Sequence, residues 1–226
     1  MARPLIKEDR AKVFVLWTPR EKKLFRSFRT PMDIQRYLNR LSYNAAPTSF
    51  APRRVITEAM AHCFEGALFA AAALRWMGHR PLIVDLVAEN DDDHVIAIFR
   101  RHGRWGAIAK SNTTVLRFRE PVYRTLRELA LSYFDMYFNT RGEKTLRSFS
   151  RPVDLSRFDS RGWMESKEDV DYISDYLYQI PHQQILSPAM RRTLEKADPA
   201  LQRAGFMGAN TSGLYKPGKK RPYEKK

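Results

Sequence analysis

The chain has 226 residues, 43% of them apolar, with 40 Lys and Arg against 25 Asp and Glu, for a formal net charge of +15. That length suffices for a proper core, and no run approaches the ~18 apolar residues a membrane span needs, so no membrane span is expected. A single cysteine, Cys63, excludes an intramolecular disulfide framework and a cysteine-rich zinc site.

Residues 1–30 are polar and basic around one apolar patch, Val13 to Trp17. They carry no apolar segment of signal-peptide type, so the expected setting is cytoplasmic and reducing, where a thiol stays available. Thr30 before Pro31 predicts a helix start, and Ile34, Tyr37, Leu38 and Leu41 follow at helical spacing. Residues 44–54 read as loop. A helix is expected to begin near Thr57 and lead to His62 and Cys63. A small-residue helix then runs from Cys63 to Met77 and stops at Gly78. Pro81 to Ala88 reads as a central strand, Glu89 to Asp93 as an acidic turn, and His94 to Phe99 as a second strand. A glycine hairpin at 100–104 leads to a third strand, Trp105 to Lys110. This order predicts an α+β fold: a central helix headed by Cys63 on a small antiparallel sheet. From Pro121 onward the pattern is mainly helical, with helices over Ser166 to Tyr178, capped by Ser166, and over Pro188 to Lys196. The expected organisation is one domain over 1–215 and a basic tail over 216–226 that favours polyanions.

Cys63 is the expected nucleophile. A thiol reacts as the thiolate, and a helix N-terminus or a neighbouring imidazolium lowers its pKa. First-turn N–H groups also suit an oxyanion. His94, opening the second strand, is the expected base. His62 adjoins Cys63, but neighbouring helical residues point about 100° apart, so it is not read as the base. Glu65 suits the helix dipole, and Asp91 to Asp93 read as a solvated turn. His79, His94, His102 and His182 are scattered, so no metal site is expected. Without a glycine-rich phosphate loop, no cofactor is expected either.

The segment from Cys63 through Ala67, Ala70, Leu74, Gly78 and Pro81, then the strand, the acidic loop, His94 to Phe99, the glycine turn and Trp105, resembles the core of the transglutaminase-like superfamily. The resemblance covers about residues 55–112. It implies papain-like thiol chemistry: acyl transfer from a peptide or protein amide to sulfur, then release to water or an amine. In that family an acid lies about four residues after the strand tryptophan, where this chain has Ala109. A turn from Arg101 to Arg104 pairs Arg100 with Trp105 and His94 with Ser111. Ser111 or, after a one-residue slip, Asn112 is then the side chain to orient the imidazole. The alternatives are a binding module that keeps the fold without turnover, motivated by the missing acid, and a basic nucleic-acid-associated protein, motivated by the charge.

Overall fold

The computed structural model describes residues 17–216; most of the Val13–Trp17 patch and the tail beyond Lys216 lie outside them. The helices are α1 (Pro19–Ser27), α2 (Pro31–Arg40), α3 (Pro52–Glu58), α4 (Cys63–Trp76), α5 (Leu126–Leu131), α6 (Asp171–Gln179), α7 (Pro188–Arg192) and α8 (Pro199–Gly205). The strands are β1 (Ser42–Tyr43), β2 (Met60–Ala61), β3 (Leu82–Ala88), β4 (His94–Arg101), β5 (Arg104–Ile108), β6 (Arg119–Tyr123), β7 (Leu146–Ser150), β8 (Val153–Asp154) and β9 (His182–Gln184). Strands β3 to β9 form one antiparallel seven-stranded sheet in the order β6-β5-β4-β3-β7-β9, with β8 also on β3. The fold is therefore α+β. Among the described residues no helix is long and apolar enough to cross a membrane.

The helix starts follow local chemistry. Thr30 caps α2 by accepting from the Asp33 N–H, and Asp33 answers to the Thr30 N–H. Thr18 and Glu21 do the same for α1, which lies within the polar, basic segment 1–30. Helix α4 is buried from Phe64 to Leu74 on every side, which its alanines and Gly66 permit. It ends as expected at Gly78, whose φ of +90° lets the His79 N–H reach back to the Leu74 carbonyl at 2.9 Å. The expected helix near Thr57 instead spans α3 and ends at Ala59 in the left-handed region, after which β2 intervenes.

Strand alternation sorts the core into two layers. Ile83, Val95, Ala97 and Phe99 pack with α4 on one face of the sheet. Val84, Leu86, Ile96 and Ile98 pack with Leu129, Tyr133 and Tyr137 on the other. The region after Pro121 supplies short helices, and it also feeds β7, β8 and β9 to the sheet. Ser166 does not start a helix: its hydroxyl bonds Glu168, while Asp169 pairs with Arg54 at 2.7 Å, and α6 begins only at Asp171. The last predicted helix stops at Arg192.

The first turn of α4 is fixed by Glu65, which is fully buried. Its carboxylate accepts from Asn44 Nδ2, the Thr48 hydroxyl and the backbone N–H groups of Phe50 and His62, all within 2.7 to 3.1 Å. One side chain thus caps the helix and ties down residues 44–50. Replacing Glu65 by Ala should lower the unfolding free energy by about 3 kcal/mol or more, since several buried donors lose their acceptor at once. A urea titration against wild type measures this; an unchanged midpoint would show that the loop is held by something else.

Candidate functional site

Cys63 sits at the first position of α4, part-exposed, and lines two adjoining cavities of about 370 and 70 Å³. The larger is walled by the 44–47 loop, His62, Asp85, Val95 and α6; the smaller by His94, Ser111, Leu116 and Tyr137. The thiol donates to the Asp93 carbonyl at 3.6 Å. Burial pushes it up to about 12, with the nearby Asp92 and Asp85 carboxylates adding to the effect. The backbone N–H groups of Val95 and Phe64 act the other way and do not prevail. At neutral pH the sulfur is therefore protonated, in place of the lowered thiol expected at a helix N-terminus.

His94 lies on the sheet face opposite α4, between Tyr133 and Tyr137, with ring centroids 6.4 Å from each. It borders the smaller cavity with Cys63, but among the described residues no hydrogen bond joins the two. Its Nε2 donates to the Leu116 carbonyl at 2.8 Å. That bond selects the Nε2–H tautomer and leaves Nδ1 with a lone pair. Burial, opposed by the Leu116 carbonyl and reinforced by Arg119, lowers the imidazole to about 4.

The hairpin register is as the sequence predicts, Arg100 opposite Trp105 and on to Ala97 opposite Ile108. The ladder then stops. Gln35 on α2 binds both backbone groups of Ala109, and Lys110 turns away to donate from Nζ to the Leu38 and Leu41 carbonyls at the end of α2. Gly66 permits this close approach, since a Cβ there would stand 2.3 Å from the Lys110 Cβ. As a result Ser111 and Asn112 do not orient His94. Ser111 Oγ bonds Thr113, and Asn112 clamps Asn210 through Nδ2 to its carbonyl at 2.9 Å and Oδ1 from its N–H at 2.8 Å. That clamp lays residues 213–215 along both cavities. The group that orients His94 is a backbone carbonyl, which no sequence pattern announces.

Sequence reasoning also missed Asp85 and His182. They meet across 97 positions, with His182 Nε2 3.4 Å from Asp85 Oδ2, and this contact raises the imidazole above its ordinary value. A charged residue inside the otherwise apolar run Leu82 to Ala88 was the available signal. Asp91 and Asp93 are used in loop closure: Asp91 accepts from the Thr145 hydroxyl and Asp93 from the Ala88 N–H, both at 2.8 Å. Among the described residues no group of three or more His, Cys, Asp or Glu has the arrangement to hold a metal ion.

No protein-family model matches the chain, and no curated protein matches it.

The buried neutral His94 carries a pH signature. Its folded-state value of about 4 lies below the ordinary 6.5, so the unfolded chain binds its proton first as pH falls. The stability His94 permits is complete above 6.5 and is lost between 6.5 and 4, to a total of about 3 kcal/mol. His94→Gln, which does not titrate, should narrow the stability difference between pH 7 and pH 4 by about that amount. Equal acid slopes in variant and wild type would show that His94 is not held neutral.

Proposed function

We propose that this protein is a thiol-dependent hydrolase or acyltransferase acting on a peptide or protein amide, with Cys63 as nucleophile and His94 as base. The observation that carries the reading is the shared cavity wall. A single thiol at a buried helix N-terminus and an imidazole with its Nε2 tied to the Leu116 carbonyl border one space. The resemblance to the transglutaminase-like core points the same way.

In the resting site both groups are neutral. Reaction then proceeds by general-base catalysis rather than from a standing ion pair. As a carbonyl carbon enters, the thiol proton passes to His94 Nδ1 and sulfur bonds the carbon. First-turn N–H groups of α4 and the Val95 N–H supply donors near the developing charge. The C–N bond breaks, the amine leaves with the proton from Nδ1, and water or a second amine releases the acyl group from sulfur. We place this chemistry in the cytoplasm, where one thiol stays reduced. Contact of the basic tail with a polyanion is a separate proposal that rests on the charge of +15.

The same two neutral groups favour a second reading, a module that keeps the cavity for binding without turnover. A p-nitrophenyl acetate assay separates the two. The enzyme reading expects a burst of nitrophenol, an acetyl adduct on Cys63 by mass spectrometry, no burst in Cys63→Ala, and a burst slowed about 100-fold or more in His94→Gln. Absence of an adduct on Cys63, or equal hydrolysis by Cys63→Ala, would leave the binding module.

A further inference from the structure

Asp85 is 2% exposed, on the α4 face of the central strand β3, and lines the larger cavity. Its backbone N–H is used, donating to Ser150 Oγ at 2.9 Å where the β7–β8 edge is interrupted. Its Oδ2 has His182 at 3.4 Å. Its Oδ1 is buried and has no hydrogen-bond partner. A buried carboxylate oxygen without a donor is the exception among native polar groups and calls for a missing partner. Asp85 pairs in register with Val95, whose N–H faces the Cys63 sulfur. Cys63 and Asp85 thus meet at one rung of the sheet, and the Asp85 carboxylate is near enough to act on the thiol. Phe64, Leu177 and Tyr178 give the same cavity apolar lining. Asp92 and Asp93 line the same space, and Lys216 is the one lysine or arginine among the described lining residues.

We propose that this cavity selects acyl substrates carrying an ammonium or guanidinium group on an apolar stem, with the Asp85 carboxylate as the ligand of that cation. The proposal rests on the thiol-enzyme reading for what happens to the acyl group, and on geometry alone for the choice of charge. A cation seated there also offsets the carboxylates that oppose ionisation of Cys63, so the correct substrate promotes its own attack.

Charge-selective labelling tests this without requiring turnover. Cys63 is modified with methanethiosulfonates bearing 2-aminoethyl, methyl or 2-sulfonatoethyl groups, each rate being divided by that of free cysteine. The cationic reagent should exceed the neutral one by about tenfold or more, and Asp85→Asn should abolish that excess. Should Asp85→Asn not fold, wild type answers alone: n-butylammonium should protect Cys63 from the methyl reagent, and n-butanol should not. Equal normalised rates for all three reagents, or protection by both butyl compounds alike, would overturn the cation site. Charge selectivity without an acetyl adduct would retain it and remove the turnover reading; an adduct without selectivity would do the reverse.

Discussion

The buried carboxylate of Glu65 is the constraint on which the site depends. A polar side chain in a protein interior is tolerated only when its oxygens are satisfied, and Glu65 is satisfied by donors from two separate segments. Those donors fix where α4 begins, and therefore where Cys63 sits. They also fix the 44–50 loop, which walls the larger cavity on one side. Lys110 provides the matching restraint on the other side: by bonding the end of α2 it pulls the chain off the sheet after Ile108 and opens the space into which residues 213–215 fold.

Electrostatics at Cys63 is a contest between a favourable helix terminus and an unfavourable enclosure. A helix N-terminus contributes about 0.3–1 kcal/mol toward an anion, and its first-turn N–H groups add hydrogen bonds. Burial and two carboxylates outweigh both, so the thiol stays protonated. The same enclosure keeps His94 uncharged. In the proposed reading such a pair is quiet until a substrate changes its surroundings, and the Asp85 carboxylate in the larger cavity beside Cys63 is where we propose that change enters.

Local signals were the legible ones. Thr30 before Pro31, the alanine-rich run after Cys63, Gly78, and the turn that sets Arg100 opposite Trp105 each act within a few residues, and each appears where the sequence places it. The Thr18-Pro19-Arg20-Glu21 capping box at α1 is a signal of the same local kind. What could not be read were contacts made at long range or by backbone. The Leu116 carbonyl on His94 has no side-chain signature, and its position depends on where β5 lets go of the sheet. That release is governed by Gln35 and Lys110 against α2, some 70 positions away. Asn112 looked like an orienting amide because register was extrapolated past Ile108, whereas tertiary contacts had ended the strand.

The central claim is that a backbone carbonyl holds His94 neutral with its proton on Nε2 and its lone pair on Nδ1, in the wall of a cavity that Cys63 also lines. Long-range proton–nitrogen NMR on histidine-labelled protein reads this directly, with His94→Gln assigning the signal. A neutral Nε2–H imidazole that persists unchanged from pH 8 to pH 5.5 is the result this structure requires. An imidazolium over that range, or the Nδ1–H tautomer, would contradict it and remove the base from the proposed mechanism.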